Sequence, residues 1–422
     1  MNSKMFLPVA LLATLSPSLG VALGQTASRS LSYDVINLGT PLGGTFASAQ
    51  TLSLQGFVAG YANVTGDVVE HAVLWRPNGI KDLGTLGGPN SEVLGGLSGF
   101  SETATPDPLG QDFCLQGTHL TCLAFTLVKR REVALPTLGG TGAIAFGNND
   151  SGQVVGESLT TTQDPGCLVG GQPQRPLFLV QQGLPAVWQN GKVNALPLFS
   201  GDSNGLANGN NDLGQIVGST GDCFSNPAAH AVLWDNGNVI DLGNLGGAKN
   251  HQPVAINTLG QITGGSDLPG DQAQHAFLWQ EGVMTDLGTL PGDMYSFGNS
   301  INNLGQIVGY SCDVNFNCRA VLWQDGSMVD LNTLIPSDST LALNVAATID
   351  DLGIIAGYAV DPSTNTDPAF VLIPNLSGFA RAPRTEATPR VAMSDRQRTL
   401  VQQRMKSRGA RRTGPGFGAS QQ

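Results

Sequence analysis

Three histidines, His71, His230 and His275, occupy one position of an internal repeat, and they are the first pattern in this chain that could carry chemistry. Imidazoles gathered on one ion would make a metal centre. A metal–ligand bond spans about 2 Å, however, and equivalent positions of successive repeat units lie much further apart. The placement therefore points to a structural hydrogen bond from a strand to a neighbouring turn. Asn149-Asp150-Ser151-Gly152, Asn211-Asp212-Leu213-Gly214 and Asp350-Asp351-Leu352-Gly353 look like pieces of calcium loops. They lack the alternating oxygen ligands and distal glutamate of such a loop, and tight hairpin turns explain them without calcium. Asp202, Asp293 and Asp338, with Tyr295 as a stacking ring, form the remaining candidate set: acids that fall between units and would suit calcium or a cationic partner.

The elements that position these residues come from one recurring stretch. His275-Ala276-Phe277-Leu278-Trp279 is followed by Gly282-Val283-Met284, Asp286-Leu287-Gly288-Thr289-Leu290, Ser300-Ile301-Asn302-Asn303 and Gly305-Gln306-Ile307-Val308-Gly309. Short apolar runs cut by Gly, Asn and Asp are the pattern of strands joined by tight turns. Each element occurs seven times, and all five tryptophans fall at the same repeat position. From Trp188 to Trp323 the spacing is 46, 45 and 44 residues, which suits four strands plus turns and is too long for one solenoid coil.

The spacing predicts strand a over Phe297–Asn302, strand b over Gln306–Gly309, strand c over His275–Trp279 and strand d over Val283–Leu290. Strand c is apolar at nearly every position, which implies burial on both faces. Four antiparallel strands per unit and seven units predict an all-β fold, a seven-bladed β-propeller. The chain supplies a lone strand d first (Tyr33–Leu38) and a, b and c last, so the first strand would complete the final blade and close the ring. An open β-solenoid is the alternative, and it would need caps at both ends.

These copies resemble the HAF-repeat family of extracellular bacterial proteins, through His-Ala-x-Leu-Trp, Asp-Leu-Gly-x-Leu-Gly-Gly and Ile-Asn-x-x-Gly-Gln-Ile-Val-Gly over residues 33 to 373. The resemblance implies an exported repeat protein and transfers no catalytic motif or ligand.

Composition agrees with export. Gly accounts for 56 of 422 residues, and charged residues make up 13%, about half the usual share. Residues 1–24 read as a signal peptide, with Lys4, an apolar run from Phe6 to Leu15 and the small-residue site Ala22-Leu23-Gly24. The body, 25–373, contains no apolar run long enough to span a membrane. Six cysteines in an exported chain predict disulfides. Cys114–Cys122 and Cys312–Cys318 would close local loops, and Cys167–Cys223 would tie neighbouring units. Residues 374–422 hold ten basic and two acidic side chains and are expected to be a disordered tail, with a short helix from Asp395 to Lys406.

The innermost strands of such a ring would carry one carboxylate, Glu92, and one imidazole, His251. A glycosidase needs two facing carboxylates, so the expectation is a monomeric, non-catalytic module for binding or adhesion. The long stretches Phe100–Leu123 and Glu157–Leu184 would form the recognition face. The expected partner is extracellular, either cationic or a polysaccharide, with no nucleic acid and no required cofactor. On this reading, replacing Glu92 and His251 by Ala changes nothing. The alternatives are a polysaccharide hydrolase or lyase using loop acids, and a structural envelope component.

Overall fold

Hairpin turns set the local architecture. Between strands c and d the chain places two successive residues at positive φ: Asn190 and Gly191, Asn236 and Gly237, Glu281 and Gly282, Asp325 and Gly326. This is the type I′ geometry whose twist matches the strands it joins. The computed structural model describes residues 31–375, apart from 54–55, 170–177, 223–225 and 227, together with 391–405.

After β1 (Tyr33–Gly39) the strands come in fours. The first unit is β2 (Gly43–Leu52), β3 (Val58–Val64), β4 (Glu70–Arg76) and β5 (Gly79–Gly84). The second is β6 (Gly87–Gly95), β7 (Ser98–Pro106), β8 (Leu120–Val128) and β9 (Arg131–Ala134). The third is β10 (Gly139–Asn148), β11 (Val154–Val169), β12 (Phe178–Gln189) and β13 (Lys192–Ala195). Next come β14 (Asn204–Asn210), β15 (Ile216–Gly221), β16 (His230–Asp235) and β17 (Asn238–Asp241), then β18 (Gln252–Ile256), β19 (Ile262–Asp267), β20 (Gln274–Gln280) and β21 (Val283–Asp286). The sixth unit is β22 (Tyr295–Ile301), β23 (Ile307–Cys312), β24 (Cys318–Gln324) and β25 (Ser327–Asp330), and the last strands are β26 (Ala342–Ile349), β27 (Ile355–Val360) and β28 (Ala369–Pro374).

Each unit is an antiparallel meander, and each packs on its neighbours in chain order. The second and third units also touch through one parallel pairing, Gly142 with Cys122. β1 runs antiparallel to β28 in register, Val35 opposite Leu372, so the first strand joins the sheet of the last three. That last sheet packs in turn on β2. The fold is an all-β propeller of four-stranded antiparallel sheets, and the first strand lies where the sequence places it.

The repeat motifs are explained by bonds that each unit makes to the next. Asn302, in the turn between β22 and β23, accepts the Leu304 and Gln306 N–H groups at 3.0 Å each. Its amide donates to Gln306 Oε1 at 2.7 Å and to the Asp350 carbonyl of the following unit at 2.9 Å. Gly305 in the same turn has φ +76, which a side chain would strain. The indole of Trp323 donates to the Leu287 carbonyl of the preceding unit at 3.1 Å. Gly309 closes the motif because a Cβ there would sit 1.9 Å from the Phe297 carbonyl oxygen. At that point the register of β22 against β23 shifts at a bulge between Gly298 and Ser300, and the same shift recurs in each of the other units.

Two expectations are corrected. The stretch Glu157–Leu184 is no long loop: β11 and β12 continue outward as one extended hairpin, pairing as far as Val169 with Phe178. In the tail, the helix expected from Asp395 forms as α1 (Asp395–Met405), but it packs on the body and is not part of a free segment. Cys114–Cys122 and Cys312–Cys318 are disulfides, with Cα atoms 6.1 and 4.0 Å apart. The pairing of Cys167 with Cys223 and the signal peptide lie outside the described residues. Among those residues no helix is long and apolar enough to cross a membrane.

Candidate functional site at the mouth of the central cavity

The innermost strand of every unit contributes to one central cavity of about 690 Å³, through residues such as Thr51, Leu94, Phe146, Asn208, Val254, Asn299 and Thr348. Most of its length is lined by small or neutral side chains, because adjacent inner strands approach closely. A Cβ on Gly209 would lie 2.5 Å from the Val254 carbonyl oxygen of the next unit. The second strands of five units add a further set at one end, from the residue that follows the motif glycine. Tyr61, Phe100, Glu157, Ser219 and Tyr358 all line the cavity there.

At this mouth acidic groups from different elements converge. Gln116, in the loop between β7 and β8, donates one amide nitrogen to Glu70 Oε1 at 3.1 Å and to Glu92 Oε1 at 3.2 Å. The two carboxyl oxygens therefore lie no further apart than those two bonds allow. Glu70 begins β4, Glu92 lies on β6, and its neighbour Asn90 accepts the Glu70 backbone N–H at 3.1 Å. Asn90 also donates to Glu102 on β7 at 2.8 Å. Burial raises the Glu102 carboxyl above the ordinary range, against the lowering effect of its bonds to Thr118 and Asn90. Burial, followed by the charges of Glu92 and Glu70, pushes the Tyr61 phenol well above its usual value, so it remains a hydrogen-bond donor. Two carboxyl groups, an amide and a neutral phenol facing one cavity are the parts of an acid–base centre.

A segment of the tail covers this mouth. The Arg396 guanidinium pairs with Glu70 Oε2 and stands 5.0 Å over the Phe46 ring. Met393 and Val401, at 2% and 1% exposure, pack among Phe46, Tyr61, Phe297, Tyr310 and Tyr358.

The residues singled out from sequence are placed elsewhere. Asp202 accepts Thr220 Oγ1 at 2.5 Å and lies 2.9 Å from His230 Nδ1. The Asp293 side chain is fully buried, ion-paired to Arg319 at 2.9 Å and bonded to Ser311 at 2.8 Å. Tyr295 stacks on Phe316, with ring centroids 4.7 Å apart. Asp338 is exposed. None of the four lines the cavity, and the structure does not bring them together as a binding site. The three acids look alike in sequence because they sit at matching joints between units, where Asp202 and Asp293 tie their joints. His71 and His275 are likewise bound to Asp82 and Asp286 of their own units, at 3.0 and 2.9 Å. His251 is buried, lies 2.9 Å from Ser266 Oγ, and is pushed down to about 4 by burial.

No protein-family profile matches the chain, and no curated protein matches it. Solved structures do. The β-propeller domain of the Trilobed protease from Pyrococcus furiosus is 12% identical with a TM-score of 0.41, the match covering 65% of this chain and 77% of that one. A puromycin-hydrolysing peptidase of Mycobacterium tuberculosis is 12% identical with a TM-score of 0.49, over 85% of this chain and 57% of that one. A prolyl endopeptidase is 12% identical with a TM-score of 0.46, over 79% of this chain and 50% of that one. The chain thus spans about half the length of the last two.

The expectation of a non-catalytic binding or adhesion module is corrected here. The solved propellers named above come from peptidases, a likeness of fold at 12% identity. Independently, Glu70 and Glu157 line the cavity with Glu92, and Glu102 is bonded to Asn90 beside them, where counting the inner strands gave Glu92 alone. The missed acids come from the second and third strands of their units. The signal was a departure from the repeat: Glu157 stands where other copies have Tyr61, Ser219 or Tyr310, and Glu70 stands where they have Ala229 or Gln274.

Proposed function

We propose that the chain is an exported hydrolase of the HAF-repeat group, a propeller of seven blades closed by β1, with an acid–base centre at the mouth of its cavity. The bridging of Glu70 and Glu92 by one Gln116 amide carries the reading. In this scheme Glu92 takes a proton from the attacking water, and Glu70, which takes up a proton from solvent once Arg396 withdraws, gives it to the leaving atom. The Gln116 amide and the Tyr61 phenol are the donors for the oxygen that gains charge. The two disulfides and the residue 1–24 leader support an oxidising, extracytoplasmic compartment. No resident metal or calcium is assigned to the scheme.

The test uses the purified full chain and its Arg396→Ala variant on panels of peptides, esters and glycosides. Turnover of one class is expected, lowered about 100-fold by Glu92→Gln and by Glu70→Gln, as for removal of a general acid or base. His251→Gln should leave that rate unchanged. Absence of turnover on all three panels by both proteins would sink the hydrolase reading.

A further inference from the structure

We propose that the mouth is a recognition subsite for an arginine-bearing polypeptide, and that residues 391–405 of the same chain fill it as an internal stand-in for that ligand. Three kinds of contact define the site. The guanidinium of Arg396 is held by the Glu70 carboxylate on one side and the Phe46 ring on another, the combination by which proteins select arginine over lysine. Its charge is also felt by Asp67 and Asp367. Around it are further side-chain contacts: Ser394 Oγ donates to Asp367 at 2.5 Å, and the Gln397 amide donates to the Ala359 carbonyl at 3.1 Å. Met393 and Val401 then fill an apolar floor of aromatic rings, and Met393 Sδ accepts the Cys318 N–H at 3.1 Å.

The occupant fits less well than a dedicated part of the fold would. Arg396 Nε and Gln397 Oε1 are buried without a hydrogen-bond partner among the described residues. Buried polar atoms left in that state disfavour the docked form. The helix is 11 residues long and predominantly polar, a length at which helices are marginal without their docking contacts. A segment that presents the same arginine and satisfies those two atoms would displace it. The guanidinium sits on Glu70, the group assigned as acid, so the docked tail also keeps that carboxyl from a substrate. In this respect the inference rests on the hydrolase reading, but the binding step does not depend on it.

The experiment measures binding, not turnover. A fluorescent peptide of residues 391–405 is titrated into the full chain, into the Arg396→Ala chain, and into the Arg396→Ala, Glu70→Gln chain, while hydrogen exchange follows residues 395–401. The helix should be protected in the parent and lose at least tenfold of that protection in Arg396→Ala. The Arg396→Ala chain should bind the peptide at least tenfold more tightly than the parent, and adding Glu70→Gln should remove that gain. A peptide with Ala in place of its Arg396 should bind at least tenfold more weakly. Unchanged protection in Arg396→Ala would show that the arginine does not seat the helix, and would overturn the proposal. So would equal binding of the two peptides, or a vacated mouth that binds no better than the parent. Loss of all hydrolytic activity with these binding results intact would instead remove the catalytic reading alone.

Discussion

The two ends of the propeller are built on opposite principles. At the end of the short turns, side-chain amides pass from unit to unit: Asn149 donates to the Asn211 carbonyl at 2.8 Å, Asn211 to Asn257 at 2.9 Å, Asn257 to Asn302 at 3.0 Å and Asn302 to Asp350 at 2.9 Å. From the third unit to the last, each turn there repeats its neighbour and hands one amide on to the next. At the mouth the units differ: Glu70 and Glu92 share the Gln116 amide and Glu157 lines the same cavity, under a loop and a tail helix. Like charges held close oppose folding, and sites that perform work commonly carry such a cost. The end built by repetition holds the ring; the end that departs from repetition is free to do chemistry.

Substitutions can break this contrast. Trp323→Ala removes a side chain that is 5% exposed, together with its bond to the preceding unit, and should lower unfolding free energy by about 3–5 kcal/mol in a urea titration. Asn257→Ala deletes the link that spans two units and removes the acceptor of the Leu259 and Gln261 N–H groups, for a loss of about 2–3 kcal/mol. A Glu92→Gln change at the mouth that cost as much as either would erase the distinction between the ends.

Proton linkage gives an intermediate effect. Burial, beside Ser101 and Ser91, raises the Glu132 carboxyl to about 7. The unfolded chain ionises this group first, so its effect is a fall in stability as pH rises from about 4.5 to about 7, complete above that range. Glu132→Gln should therefore stabilise the protein by about 1–3 kcal/mol at pH 8 and by nothing below pH 4. His251 acts in the opposite direction. Burial holds it near 4, so stability is lost as pH falls from about 6.5 to about 4, and His251→Gln should flatten that limb if it keeps the Ser266 bond. A parallel shift of the urea midpoint at all pH values would rule out both assignments.

The smallest effect is expected where activity is most sensitive. Glu92→Gln relieves repulsion with Glu70 while keeping an acceptor for Gln116, and should change stability by about 0.5 kcal/mol or less, or raise it. Equilibrium unfolding of that variant beside the parent measures this directly.

Much of the fold was legible because each motif residue performs a local task that its chemistry announces. An Asn four residues before a Gln closes a turn, a Gly marks a positive φ or a close carbonyl, and an apolar strand with Trp lies between sheets. The outward hairpin of β11 and β12 was read as a loop because Thr160 to Gln163 and Pro165 break the apolar alternation by which strands are recognised. The mouth was not legible because Glu70, Glu92, Gln116 and Glu157 are far apart in the chain and share no spacing. Only the curvature that brings the starts and ends of different strands to one point makes them neighbours. The seat of α1 was hidden for the same reason: nothing near Arg396 in sequence names Glu70 or Phe46 as its partners.

Gln116 lies within the eight-residue span closed by Cys114 and Cys122, so the amide that bridges the two carboxyl groups is aimed by a covalent ring. In an oxidising medium that donor is in place before any ligand arrives. Once the bond is reduced, the loop must find the same position from a larger set of conformations, and part of the binding energy of any ligand is diverted to ordering it. The redox state of the surroundings thereby becomes a control on how well the mouth is prepared, exerted through one side chain and without any movement of the blades.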